Sequence, residues 1–284
     1  MWQTIDPIIT SDFATWCQAT LEIAQRSWRS ICLVLFLGVV LPSWAFSVLA
    51  TPDSFSPIHG IGAFSNIPFD LSGAMMWQLV AAISTMFLAA AGFLVATRIA
   101  VAEAAGGFLS LPEAIRYGLS KAIPLWLWMM LSVLIVGAGI ALFVLPGLWA
   151  ILALSLIVPV AVFESRNPIV RSVKLIHSDL VPSLSRVAFT WFIVIAMAAA
   201  IQVTVMVIGS MILATTAGWI EGFVTALIFG VMSIVLVIPN LWLIAASLCT
   251  YAFLRAQQEP LTTTQLAAEA VPSVEGPPGP NDDS

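Results

Sequence analysis

The chain has 284 residues, of which 60% are hydrophobic and only 9% charged, with a formal net charge of −5 and a mean hydropathy of +1.03. A soluble domain carries about 25% charged residues, so a water-soluble globule is excluded. Several uncharged runs exceed the roughly 20 residues that cross a bilayer as a helix, and none shows the period-2 alternation of a membrane β-barrel. The sequence therefore specifies an all-α polytopic membrane protein.

In chain order, "SDFATWCQATLEIAQRSWRS" at 11–30 is amphipathic. It sets Phe13, Trp16, Cys17, Leu21, Ala24 and Trp28 against Gln18, Glu22, Gln25 and Arg29. The first basic residue is Arg26, so no positive region precedes a short apolar core and no cleavable signal is expected. Span one covers about 30–50. After a polar loop containing His59, span two covers about 74–97, and its helical pattern continues to the breaker Gly106-Gly107.

"SLPEAIRYGLSK" at 110–121 opens with a capping box, Ser110 and Glu113, and has Pro112 in the first turn. The next 42 residues, Ala122 to Phe163, contain no charge or histidine. As one helix they would be roughly 63 Å long at 1.5 Å per residue, about twice the hydrocarbon thickness. They must fold back. Pro146-Gly147 suits a tight turn, with Gly147 at positive φ, and divides the run into spans three (123–144) and four (148–163).

"NPIVRSVKLIHSD" at 167–179 has Asn167 as N-cap and Pro168 at the first helical position. Its apolar positions Ile169, Val170, Val173, Ile176 and Leu180 oppose Arg171, Lys174 and Ser178. Residues 187–254 carry one charge, Glu221, and divide at the small, polar stretch 214–222 into spans five (187–213) and six (223–254). The expected plan for 1–258 is thus three hairpins, each preceded by a short interfacial amphipathic helix. The last stretch, 259–284, holds five of the fifteen acids and five prolines and reads as a disordered tail. Without it the chain is nearly neutral, so no nucleic-acid partner is expected.

Six spans put all ten basic residues on one face: Arg26, Arg29, Arg98, Arg116, Lys121, Arg166, Arg171, Lys174, Arg186 and Arg255. Positive-inside bias makes that face cytoplasmic, as in a bacterial inner membrane, with both termini inside and His59 and Thr215 outside. Trp28, Trp126, Trp128 and Trp191 then fall near the inner interface, and Trp77, Trp149 and Trp219 near the outer one.

The stretch "LPGLWAILALSLIVPVAVFESRNPIVRSVKLIHSD" at 145–179 resembles the motif region of the YciC-like six-span membrane proteins, related to the membrane domain of glycerophosphoryl diester phosphodiesterases. The matching elements are the Leu145-Pro146-Gly147 turn, Pro159 within an apolar helix, Glu164 at its end and the Arg171-Ser172 pair. "LIHSD" at 175–179 departs from the pattern, which has a Gly- and Trp-containing segment there. The resemblance implies a six-span fold over residues 10–255, with Pro146, Gly147, Pro159, Glu164 and Ser172 as structural anchors. Some relatives carry a fused phosphodiesterase barrel, which this sequence lacks, so that activity does not carry over.

Catalytic constellations are scarce. His59 and His177 fall on opposite faces, and there is no HExxH, GxSxG or P-loop. Neither an enzyme, a metal nor a cofactor is expected. Transport would need polar groups at depth, for which Asn240 beside Pro239, Gln202 and Thr204 are the candidates. The alternative for Asn240 is to bond the carbonyl that Pro239 frees. Glu164 ends span four, where the helix dipole disfavours an anion, so a nearby cation should hold it. Arg166, Arg171, Lys174 and Arg186 form a basic segment suited to anionic lipid. The expected function is non-enzymatic organisation of lipid or partner proteins at the cytoplasmic leaflet; the alternative is a transporter or lipid-moving protein with a cavity near Asn240.

Overall fold

The structure is a computed structural model that describes residues 6–10, 12–50, 73–164, 166–215 and 219–270. The loop containing His59, the centre of the turn at 214–222 and the last fourteen residues of the tail lie outside the described residues, as do the side chains of Trp77 and Trp219. The described residues form helices α1 (Phe13–Leu35), α2 (Leu41–Ala50), α3 (Gly73–Ala104), α4 (Leu111–Leu142), α5 (Val144–Leu154) and α6 (Ile157–Phe163). They continue as α7 (Pro168–Ser178), α8 (Leu180–Leu213), α9 (Trp219–Val235), α10 (Val237–Ala256) and α11 (Thr263–Ala270). No strand occurs among them. Six stretches are long and apolar enough to cross a membrane: Phe13–Ala45, Leu79–Ala104, Leu111–Leu142, Val144–Phe163, Leu180–Ile212 and Leu227–Ala256. The chain is an all-α integral membrane protein.

Two of the three expected surface helices are not separate. Residues 13–35 run into span one through a five-residue π-helical turn, Phe36–Val40, and 111–121 are the first three turns of span three. No Gly or Pro lies between residue 30 and Gly38, so the first helix has no signal to stop, and the second runs on through Pro124, which stands inside it. Only α7 stands alone, because Asp179 leaves helical geometry at φ −143°, ψ 76°.

The hairpin between spans three and four turns three residues earlier than expected. Phe143 alone is extended, at φ −161°, ψ 141°, and α5 restarts at Val144. Pro146 lies in the first turn of α5, where its missing N–H leaves no bond unmade. Gly147 is helical and not at positive φ. Its role is proximity: a Cβ on Gly139 would lie 2.9 Å from the Gly147 Cα. The same device brings α1–α2 onto α3, where a Cβ on Gly38 would lie 3.2 Å from the Gly92 Cα, and α4 onto α3, where a Cβ on Gly118 would lie 3.0 Å from the Ala91 carbonyl. Small residues at crossings are how membrane helices gain contact when lipid tails are as apolar as leucine. Gly137, by contrast, has nothing within 4 Å of its Cβ position.

Span four is interrupted. Ser155 and Leu156 separate α5 from α6, and Pro159 in the first turn of α6 deprives the Ser155 carbonyl of a helical donor. The break lets α5 lean on α7, so that Trp149 packs edge-on against His177 with ring centroids 5.3 Å apart. Trp149 therefore sits beside α7. The end of α3 follows the sequence pattern. Gly106, at φ +80°, donates to the Glu103 carbonyl, and Gly107 donates to that of Ala102. This is a Schellman closure, which needs a residue free to adopt positive φ.

At the centre stands α10, buried nearly all round from Ile244 to Leu254 and packed on α1, α3 and α8. Part of the expected disordered tail is ordered against this bundle. Thr262 and Gln265 form a capping box: the Gln265 side chain accepts from the Thr262 N–H at 2.9 Å, and the Thr262 hydroxyl accepts from the Gln265 N–H at 3.3 Å. Asp6 completes the cap from the other end of the chain, accepting from the Thr263 N–H at 2.9 Å and from the Thr263 hydroxyl. Leu266 and Ala270 then join the core with Ile8. The composition of 259–284 as a whole hides this eight-residue helix.

Two outcomes follow. Gly118→Leu must push α3 and α4 apart, an overpacking worth about 1–3 kcal/mol, and should lower the unfolding temperature in detergent. Gly137→Ala, facing open space, should leave it unchanged. Burial raises the Asp6 carboxyl pKa, but the bonds from Thr263, Ile8 and Ile9 outweigh it and hold the group below its ordinary 3.8. A depressed carboxylate stabilises the fold above its unfolded value and loses that contribution as pH falls through the folded one. Amide exchange across 263–270 should therefore quicken below about pH 3.8. Asp6→Asn should exchange quickly at neutral pH and lose that response.

Candidate functional site

The candidate site lies at the end of the bundle that gathers the basic residues. Arg26 donates from α1 to the Glu103 and Ala104 carbonyls at the end of α3, and Ser30 bonds Glu103 at 2.8 Å. Arg98 stacks on Tyr117 at 3.7 Å, joining α3 to α4. Arg186 lies 3.5 Å over the Phe253 ring and donates to the Thr10 carbonyl at 3.3 Å. Asp179 accepts from Gln257 at 2.8 Å. These contacts link α1, α3, α4, α8 and α10 at one level, which is why the basic residues share an end.

Glu164 is the hub. It follows α6 in an extended conformation, φ −121°, ψ 138°, so its side chain is released from the span's axis. One oxygen accepts from Arg171 Nε at 2.7 Å, and the other accepts from the Tyr251 hydroxyl at 3.1 Å. The Glu164 and Arg171 side chains are only 11% and 18% exposed. Arg171 also donates to Gln258 at 2.8 Å. Phe163 stacks on Tyr251 at 5.4 Å, and Arg255 pairs with Glu259 and Glu269. One carboxylate thus ties span four, α7 and α10 together, with α11 attached through Arg255. The cation expected beside Glu164 is Arg171.

Ser172, next along α7, is fully buried and donates to the Ala153 carbonyl at 2.7 Å. The break at 155–156 leaves no backbone bond to that carbonyl between α5 and α6, so a side chain from another helix supplies one. Leu175 and Ile176 bury the same face of α7. The helix is docked on protein along that face, and Lys174 points outward.

The four cations of the expected lipid segment are therefore divided. Arg166 and Lys174 are exposed, Arg171 belongs to the Glu164 network, and Arg186 is 2% exposed inside the bundle. Arg186 cannot meet a headgroup from there. Its position in the apolar stretch leading into span five had suggested a surface site; the tertiary packing of Thr10 and Phe253 around it was not legible from local sequence.

The three intramembrane polar candidates do not form a path. Asn240 Nδ2 donates to the Leu236 carbonyl at 2.8 Å, one turn back across the break between α9 and α10. This lies one residue from the Val235 carbonyl that Pro239 deprives of its donor. Gln202 is exposed on α8, and Thr204, also exposed, bonds the Ala200 carbonyl at 2.8 Å. A cleft of about 450 Å³ does open between α3, α4, the α5–α6 break, α8 and α10. Its wall is apolar, with Phe93, Met129, Leu154, Trp191 and Leu243, and it does not include Asn240, Gln202 or Thr204. Its hydroxyls, Ser132, Ser155 and Ser247, each bond a carbonyl three or four residues back in the chain. Gly137 lines this cleft, so it does not serve helix packing as Gly139 does.

A second recess of about 410 Å³ lies between α4 and the α6–α7 connection. Tyr117, Lys121, Trp128, Val162, Glu164 and Arg166 border it. Sequence patterning missed it because its two cations are 45 residues apart, one on α4 and the other in the connection between α6 and α7. The Lys121 and Trp128 spacing on one helix was the available signal.

Glu164→Gln should cost about 1–3 kcal/mol, since it removes a charge-assisted bond and leaves Arg171 half-buried. Glu164→Lys should cost more, placing a second cation against Arg171. Thermal unfolding in detergent reads both, and parent-like stability in both would contradict the anchoring role.

Comparison with family models, with curated proteins and with solved structures finds no match to this chain.

Proposed function

We propose that the chain is a non-catalytic integral membrane module that organises lipid or partner proteins at the cytoplasmic leaflet of a bacterial inner membrane. The observation that supports this most is the separation of polar roles. Charged side chains gather at one end and tie helices to one another through Glu164, Arg171 and Arg255. Polar side chains at depth bond their own backbone instead. A transport path needs polar groups that face a shared cavity near the midplane, and the cleft here is apolar. The basic end faces the cytoplasm by positive-inside bias. The segments before span one and after span six share that side. Kinship with the YciC-like proteins is part of this proposal, because the Glu164–Arg171 pair and the Ser172–Ala153 bond fall on the motif that carries the resemblance.

Two measurements test the reading. Single cysteines at 116 and 215, in a background lacking Cys17, Cys32 and Cys249, should label oppositely with an impermeant thiol reagent. Position 215 should label in intact spheroplasts, and position 116 only after permeabilisation. Proteoliposomes should show no acceleration of labelled phospholipid between leaflets over protein-free vesicles, while mild extraction retains lipid or a protein partner. Acceleration abolished by Asn240→Ala would establish the lipid-moving alternative.

A further inference from the structure

The recess beside Lys121 carries an electrostatic imbalance. Lys121 and Arg166 border it from α4 and from the α6–α7 connection, both are exposed, and neither has an ion-pair partner among the described residues. Behind its Tyr117 wall lies Arg98, only 4% exposed. The Arg98 guanidinium rests on the Tyr117 ring at 3.7 Å, and its Nε is buried without an acceptor. Taking a charge out of water without a counter-charge is costly, and contact with one aromatic face offsets only part of that cost. The carboxylate that borders the recess does not correct this, because both Glu164 oxygens are engaged by Arg171 and Tyr251. Two positive charges therefore border the recess and a third stands behind Tyr117, while the carboxylate that borders it is already paired.

Its shape extends the argument. The same helices that border the recess continue into the apolar cleft. On α4, Trp128 borders the recess and Met129 the cleft; on α3, Leu94 and Phe93 divide in the same way; on α6, so do Ala161 and Val158. From Lys121 to Gly137 is sixteen residues of one helix, about 24 Å at 1.5 Å per residue, comparable to an acyl chain. Charge lies at the membrane-surface end, an interfacial tryptophan next to it, and apolar wall beyond.

We propose that this recess binds an anionic phospholipid, with the phosphate between Lys121 and Arg166 and one acyl chain following the seam into the cleft. The proposal rests on the reading of the chain as a lipid-organising module and assigns its lipid class and its site. That site is not the α7 segment, whose Arg171 and Arg186 are engaged elsewhere.

The test uses the full chain in nanodiscs of mixed phosphatidylglycerol and phosphatidylcholine, released into native mass spectrometry. The parent should carry phosphatidylglycerol enriched over its bulk share. Lys121→Gln with Arg166→Gln should lower that enrichment at least tenfold with thermal stability unchanged, because neither side chain makes a structural bond. Arg29→Gln with Arg116→Gln removes two exposed charges at the same end and should leave enrichment within twofold. Inorganic phosphate at millimolar concentration should not displace the lipid; displacement would mean that the site takes free phosphate, which overturns the proposal. Equal loss in both double variants would also overturn it, showing a diffuse surface charge while leaving the broader function intact. Lipid bound without any anionic preference in the parent would overturn it as well. Failure to retain any lipid or protein partner would instead remove the broader reading.

Discussion

In hydrocarbon, a backbone carbonyl has no water to accept from, so each one exposed by a helix break must find a donor within the protein. Among the described residues two spans are broken, at Ser155–Leu156 and at Leu236. The first break is repaired from outside: Ser172 on α7 donates to Ala153. That one bond requires α7 to lie buried along the distal half of span four, and the rest of the basic end is arranged around it. With Ser172 turned inward, Arg171 is presented to Glu164 and Lys174 is left outward. At the second break the Asn240 side chain bonds the Leu236 carbonyl of its own chain segment, and no side chain from another helix is drawn in there among the described residues.

The Glu164 network shows how a charge is retained at the margin of a membrane domain. An anion at a helix C-terminus is disfavoured by the dipole, yet here the backbone turns extended after Phe163 and carries the carboxylate away from the axis. Arg171 and Tyr251 then supply one hydrogen bond to each oxygen. Because Tyr251 belongs to the central helix, the connection fastens span four to the core rather than merely to its neighbour in sequence. Arg255, one turn further on, extends the same arrangement to α11 through Glu269.

The contrast with Arg98 is informative. Four basic residues at this end, Arg26, Arg171, Arg186 and Arg255, hydrogen-bond protein acceptors, whereas Arg98 rests on an aromatic ring and Lys121 and Arg166 line an open recess. The cations that tie helices together are hydrogen-bonded, whereas the buried Arg98 has only the Tyr117 ring beside it. In the proposed site, the apolar wall of the neighbouring cleft would suit an acyl chain better than a soluble anion.

Composition and hydropathy alone determined that this is a six-span helical membrane protein with its basic residues at one end, because the length of an apolar run and the sign of its flanks are local properties. The Asn167 cap, the Gly106 closure and the need for a cation beside Glu164 were legible for the same reason. Tertiary structure decided what local patterns could not: that 13–35 and 111–121 continue into their spans, that Phe143 and not Pro146-Gly147 makes the turn, and that residues 263–270 fold onto Asp6. It also separated Arg171 and Arg186, held in protein contacts, from Lys121 and Arg166, which face one recess from α4 and from the α6–α7 connection. Amphipathicity records that a helix has a face to bury, but whether lipid or protein covers that face depends on neighbours distant in the chain, and those only the packed bundle supplies.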